Sequence, residues 1–271
     1  MKWSDEAEAA VKKVPLFVRK RVRTRVEKEA AEQGKHLITI AEVKATQTRF
    51  LNKQGHDIKG YQVERCFGQS GCPNRAVISD QLATKIDTLF KEADILGFLR
   101  QTVTGNLKFH HEFRVSLADC PNACSQPQIR DIGIIGAAVP HVSGEACSDC
   151  EACIDECRED AVVLMKNGAG PRIDYRRCLS CGRCMAVCPT GTLTTGQTGY
   201  RVQLGGKLGR HPRLARELPG VFSADQVVNI VRACIALYKK KSTAGARFSE
   251  ILTGADVDRI AGQAGVQPIS Q

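Results

Sequence analysis

Apolar positions recur with a helical period at the start of this chain. Ser4 precedes DEAEAAVKK, where its hydroxyl can accept from a first turn rich in acids, so a helix is expected there. Pro15 suits the start of a second helix over LFVRKRVRTRVEKEAAEQ, closed by Gly34. Phe17, Val18, Val22, Val26 and Ala30 give that helix one apolar stripe, and Arg19, Lys20, Arg21, Arg23 and Arg25 crowd its other faces. Thr39 can cap a third helix over AEVKATQTRF. Residues 1–48 therefore read as a small basic helical domain, and 49–65 as a polar link.

The period then changes. SDQLATKIDTLFKEADILGFL is expected to form one amphipathic helix that buries Leu82, Ile86, Leu89 and Ile95. LKFHHEFRVSL alternates as a strand would, with His110 and His111 on opposite faces, and DIGIIG reads as a buried strand. The tail, SADQVVNIVRACIALYKKK and ARFSEILTG, reads as helices packed over the core. At 271 residues the chain can bury one or two sizeable cores.

Cysteine changes the picture most. Thirteen are present. The N-terminal MKWSDEAEAAVKK has no apolar core of a signal peptide, and no apolar run approaches the ~18 residues of a membrane span. The expectation is a cytoplasmic protein with reduced thiols, in which cysteine serves ligation rather than disulfides. Twelve of the thirteen fall into three groups of four. Cys234 is left over in an apolar helical run, as a small buried hydrophobe.

Residues 139–196 contain CSDCEACIDEC and CLSCGRCMAVCP, a tandem CxxCxxCxxxC repeat. This is the two-cluster ferredoxin spacing, in which the last cysteine of each run serves the other cluster. One [4Fe–4S] cluster would take Cys147, Cys150, Cys153 and Cys188, and the other Cys178, Cys181, Cys184 and Cys157. Pro189 keeps the usual proline after the second run, and Arg158 replaces it after the first. Pro140 and Gly144 before this unit, and the tract TTGQTG after it, read as joints.

The third group is Cys66 and Cys72 in CFGQSGC with Cys120 and Cys124 in CPNAC. Four thiolates in two loops can hold a [4Fe–4S] cluster or a structural zinc ion, or simply be buried thiols. CxxxxxC, then CPNxC and DIGIIG, resembles the siroheme and [4Fe–4S] half of sulfite and nitrite reductases, and the likeness resumes at YRVQLGGKLGRHPRLARELPG. The fold class that this implies is α+β: a reductase domain over 49–138 and 197–271, interrupted by the ferredoxin-like insert as in dissimilatory sulfite reductase subunits.

The resemblance implies that Cys124 bridges the third cluster to siroheme iron, that Asn122 lies beside the macrocycle, and that Gly205 and Gly206 form a turn near it. Arg114 and Arg210 are candidates for its carboxylates. The implied chemistry is six-electron reduction of sulfite or nitrite, a small anion, with electrons from a donor protein entering at the insert. Cations neutralise that anion and supply protons. In the larger reductases several come from portions that precede the cysteines, where this chain has residues 1–48 instead. Arg49, Lys53, Lys59, Arg65 and Lys207 are the candidate replacements, with Arg213 beside them. This departure keeps open an electron-transfer subunit without its own turnover, and a reductase of another tetrapyrrole. A homo- or hetero-oligomer that shares the site is a further reading left open. Residues 1–48 also resemble the small C-terminal domain of the light-independent protochlorophyllide reductase catalytic subunit, through Trp3, Pro15, Phe17, Val18, Arg19, Arg23, Val26 and Glu27. That places Arg19 and Arg23 as candidates for a tetrapyrrole carboxylate or a partner.

The formal net charge of +10 suits an anionic partner. Three thiolate-bound cubanes would contribute about −6, and siroheme more negative charge still, so anionic cofactors account for the basic excess. No aromatic interleaving accompanies the basic runs, so nucleic acid is not expected as a partner.

Overall fold

The computed structural model describes residues 1–165 and 169–265, with the side chains of all of these except 51–57 and 69. The chain forms two compact units, one of Met1–Lys59 with Gly105–Phe109, the other of Gly60–Thr104 with His110 onward.

In the first unit two very short strands, β1 (Lys2–Trp3) and β2 (Leu37–Ile38), pair in parallel beside three helices. These are α1 (Asp5–Lys12), α2 (Leu16–Glu32) and α3 (Ile40–Asp57). Ser4 accepts from the Ala7 amide, and Thr39 with Glu42 closes a full capping box. Ala7, Val26, Ala30 and Ile38 form the core, with Trp3, Val22 and Val43 packed against it. Helix α3 runs well past residue 48, and residues 61–65 form a strand, so the expected polar link does not exist. Arg19 and Arg23 are used inside this unit. Arg19 donates to the carbonyls of Val14 (2.6 Å) and Lys12, at the end of α1. Arg23 pairs with Glu8 at 3.1 Å and lies 4.5 Å from the Trp3 ring centroid.

The second unit is built on a five-stranded mixed sheet. Its strands are β3 (Tyr61–Arg65), β4 (Phe113–Ala118), β5 (Ile132–Val142), β8 (Leu193–Leu204) and β9 (Arg216–Glu217), in that spatial order. β3, β4 and β5 are mutually parallel, whereas β8 and β9 join antiparallel. β3 crosses to β4 through α4 (Asp80–Glu92) and α5 (Ile95–Thr102). These are two helices where one was expected. Asp94 adopts φ +44° between them, and its carboxylate caps the second by accepting from the Gly97 amide. His110 and His111 lie in a 3-10 turn that ends before β4 begins, not within the strand.

The tail forms α8 (Ala224–Lys241), α9 (Phe248–Ile251) and α10 (Gly254–Gln263). Phe113 of β4 is the centre of the core: Phe90, Tyr238 and Phe248 set their rings 5.0–5.1 Å from it. Cys234 on α8 is fully buried, as expected.

β5 and β8 carry the sheet outward as a long antiparallel ribbon, paired from Ile132–Leu204 to Val142–Leu193. The expected joints are part of this ribbon. Pro140 sits where the register shifts after Val139, and TTGQTG is strand. A bulge tolerates a residue that has no N–H for the ladder. Beyond the ribbon lie α6 (Ala152–Asp155), the hairpin β6 (Val162–Leu164) and β7 (Pro171–Ile173), and α7 (Arg183–Ala186). Cys153, Val162, Ile173, Cys184 and Leu193 form the core of this portion.

Candidate metal centres

Strand geometry explains how Cys66, Cys72, Cys120 and Cys124 meet. β3 and β4 are parallel neighbours with Arg65 opposite Leu117, so Cys66 and Cys120 leave the sheet at adjacent carboxyl ends. Ligands of open parallel sheets sit at such ends. The Cys66 amide donates to Leu117 O at 3.0 Å, and the Asp119 amide donates to Cys66 Sγ at 3.3 Å. Asn122 Nδ2 donates to Cys124 Sγ at 3.0 Å. Burial, and the nearby thiols of Cys124, Cys72 and Cys66, push the Cys120 thiol up. Among the described residues no group of three or more Cys, His, Asp or Glu side chains could hold a single metal ion.

Asp119 organises these loops, a role that sequence reading missed. It is buried, its carboxylate accepts from Arg75 Nε at 2.8 Å and Ser79 Oγ at 2.5 Å, and its carbonyl accepts the amides of Ala76 and Val77. A residue between a strand and a cysteine loop that binds both flanks carries no spacing signal.

The two halves of the tandem repeat share one backbone. Asp149 and Ser180, two residues after each first cysteine, both have positive φ, as do Glu151 and Gly182, and Asp160 and Gly191. The Asp149 amide donates to Cys147 Sγ and the Ser180 amide to Cys178 Sγ, each at 3.4 Å. The last cysteine of each run also accepts a backbone amide, Ala161 to Cys157 and Leu193 to Cys188, each at 3.3 Å. Left-handed residues turn such amides toward a common point, which suits an anionic group.

The sulfurs group crosswise. Burial and the thiols of Cys147, Cys150 and Cys188 push Cys153 up. Burial and those of Cys178, Cys181 and Cys157 push Cys184 up to about 12. Burial raises Cys188 too, but amides and the Thr190 hydroxyl outweigh it and leave that thiol lowered. Cys147, Cys150, Cys153 and Cys188 line one small cavity with Leu164 and Leu193. Cys157, Cys178, Cys181 and Cys184 line a larger one of about 320 Å³, which Asn74, Cys120, Pro121 and Asn122 line as well.

A group of cations surrounds the Gly205–Gly206 turn. Gly205 has φ +81° and donates to Asp131 O, and a Cβ on Gly206 would press on the backbone of Gln128 and Arg130. Arg213 donates to the carbonyls of Gly205 and Ser249, and its backbone forms an isolated bridge to Lys207. Lys207 pairs with Glu250 at 3.4 Å, and Arg130 with Glu64 at 2.5 Å. Arg247 lies 3.9 Å from buried Asp131, which also accepts the Arg114 amide at 2.9 Å. Nε of Arg130 and of Arg247, and Ser249 Oγ, are buried without a hydrogen-bond partner among the described residues. Sequence reading missed Arg130 and Arg247. Arg210 is exposed on the turn. Of the proposed substrate cations, Arg65 pairs with Asp80 at 3.4 Å in the second unit. Arg49 and Lys59 belong to the first, where Arg49 pairs with Glu29 at 2.7 Å. The side chain of Lys53 lies outside those described.

The family described as the nitrite and sulphite reductase 4Fe-4S domain matches residues 64–267. The chain belongs to this family. Residues 3–46 match a second family, the proto-chlorophyllide reductase 57 kD subunit, in line with the N-terminal resemblance. Within the nitrite and sulphite reductase family, the chain is 26% identical over 236 residues to the coenzyme F420-dependent sulfite reductase of Methanocaldococcus jannaschii. That match covers 77% of this chain and 35% of the relative, so the chain spans about a third of the relative's length. It is 28% identical over 107 residues to the beta subunit of the dissimilatory-type sulfite reductase of Nitratidesulfovibrio vulgaris, 35% of this chain and 28% of that one. The crystal structure of dissimilatory sulfite reductase I shares the fold, with a TM-score of 0.51 at 14% identity, over 86% of this chain and 61% of that one. The mixed α+β reductase fold is thus established. Among the described residues no helix is long and apolar enough to cross a membrane.

Proposed function

We propose that this chain is a sulfite reductase, with three [4Fe–4S] clusters and siroheme, and that nitrite is the other anion its site would take. The supporting observation is the cavity that carries the wall of the Cys157, Cys178, Cys181 and Cys184 group onto Cys120, Pro121 and Asn122. It makes the second group of the insert the neighbour of the group at the sheet ends. The names of the relatives above favour sulfite over nitrite.

When bound, the clusters would supply single electrons, and siroheme an open iron position for the anion. Twelve cysteines would hold the clusters: Cys66, Cys72, Cys120 and Cys124 at the sheet ends, and the two crossed groups beyond the ribbon. Amide donors to Cys66, Cys147, Cys157, Cys178 and Cys188 stabilise negative charge on sulfur. The siroheme reading rests on Arg130, Arg213 and Arg247 around the Gly205–Gly206 turn, where the partnerless Nε of Arg130 and of Arg247 suit a group rich in carboxylates. Arg114 and Arg210 stay in that reading as further carboxylate partners. Lys207 and Arg65 are the second-unit cations proposed to face the substrate anion and hold protons for it. Arg49, Lys53 and Lys59 of the first unit stay in the proposal as further cations for that anion. By domain, 139–196 is read as the two-cluster insert in a reductase domain of 49–138 and 197–271. A donor protein would meet the insert, and a further subunit would supply the portion that the longer relatives carry in one chain.

The test is the visible spectrum of anaerobically prepared protein together with sulfite-dependent oxidation of reduced viologen. Macrocycle bands with turnover are expected. Broad iron–sulfur absorption with neither bands nor turnover would overturn the reading in favour of an electron carrier.

A further inference from the structure

The repeat is symmetric in backbone but not in charge. After Cys188 stands Pro189, which lines the cavity of the first group. Glu151 is the only ionisable side chain besides cysteine along that wall, among the described residues. After Cys157 stands Arg158, in the equivalent place, exposed and without a hydrogen-bond or ion-pair partner among the described residues. Its cavity carries two arginines, Arg158 and Arg183, and two glutamates, Glu156 and Glu159. Arg183 is already paired with Glu156. Without Arg158 the two walls would each carry one net negative charge; with it, the second is neutral.

We propose that Arg158 sets the reduction potential of the cluster held by Cys157, Cys178, Cys181 and Cys184 above that of its twin, and so points electrons toward Cys120. The inference rests on the two-cluster reading above. Adding one electron to a cubane adds one negative charge, and cluster potential follows net charge and solvent exposure. A nearby cation stabilises the reduced form more than the oxidised one. Backbone donors to the crossing sulfurs are matched at 3.3 Å, and the further contacts of Thr190 fall on Cys188, where they would raise the potential of the twin and oppose the proposed difference rather than produce it. Arg158 faces solvent, so salt will screen its effect.

The test is an EPR-monitored redox titration of the full chain, with iron analysis, for the wild type, Arg158→Gln and Arg158→Lys. In Arg158→Gln one midpoint should move down while the others stay, and that shift should shrink at high salt. Arg158→Lys should restore it. A fully iron-loaded Arg158→Gln that titrates like the wild type would overturn the role of Arg158. A wild type whose insert binds too little iron for two clusters would instead overturn the underlying reading, and the inference with it.

Discussion

Asn122 Nδ2 donates to Cys124 Sγ at 3.0 Å, from two residues earlier in the same loop. The bond aims a neutral donor at the sulfur that the family resemblance makes the bridge to siroheme. A hydrogen bond to a charged acceptor contributes about 1.5–3 kcal/mol, and exposure of this loop places the value at the low end. Asn122→Leu removes the donor at similar size. It is expected to lower the midpoint potential of the cluster at the sheet ends and slow sulfite turnover, with iron content unchanged. Redox titration beside iron analysis checks it; an unmoved potential would remove Asn122 from the site.

Gly136 on β5 faces the Asp119 carbonyl. A Cβ at this position would press on that carbonyl and come within 2.5 Å of a Val77 methyl. The same carbonyl receives the Ala76 and Val77 amides at 2.9 and 3.2 Å, which closes the loop after Cys72. Gly136→Ala therefore has no soft neighbour to displace, and overpacking costs about 1–3 kcal/mol. On the three-cluster reading proposed above, the expected result is a lower thermal midpoint and loss of iron from the sheet-end cluster, with both insert clusters retained. Thermal unfolding and cluster-resolved EPR read the two effects separately.

Cysteine spacing made the three groups of four thiols legible, because loops that gather sulfurs leave their period in the sequence. The buried apolar run of β5 and the caps at Ser4 and Thr39 were equally readable, since each rests on a local rule. Other features were not. Leu82, Ile86 and Leu89 keep a helical period up to the break at Asp94, and only the φ of +44° there reveals two helices. The threonines and glycines of TTGQTG look like a linker, yet they complete a ladder whose partner strand lies some fifty residues earlier. Asp149, Glu151 and Ser180 hold left-handed conformations that composition assigns to glycine. The cations at the Gly205 turn come from four separated segments, so no window could contain them.

Asp131 is fully buried, and burial raises its carboxyl from 3.8 to about 6, against the opposing pull of Arg247 and the Arg114 amide. It thus binds a proton more tightly folded than unfolded. Its contribution favours the fold fully below about pH 4 and is lost as pH rises through about 6, a change of about 3 kcal/mol. Arg247 stays charged throughout this window. Asp131→Asn is expected to gain on the wild type in stability as pH rises from about 4 to 6, then run parallel to it. Denaturant unfolding at each pH checks this; a pH-independent difference would show that folding does not raise the Asp131 carboxyl.

The crossed grouping predicts where iron goes. Cys188 belongs to the second run in sequence, yet its thiol, with those of Cys147 and Cys150, acts on Cys153, and the four line one cavity. Cys188→Ala should therefore cost the cluster of the first run, about four iron atoms per chain. Cys157→Ala should cost the other. Cys234→Ala serves as the control: Cys234 is wholly buried on α8 outside all three groups, so iron should be unchanged while stability falls by about 1 kcal/mol. Iron analysis with EPR of each variant decides the matter. If Cys188→Ala removed the cluster of Cys178, Cys181 and Cys184 instead, each run would close on its own cluster. The tandem symmetry of backbone and donors would then have to arise without exchange of the last cysteine.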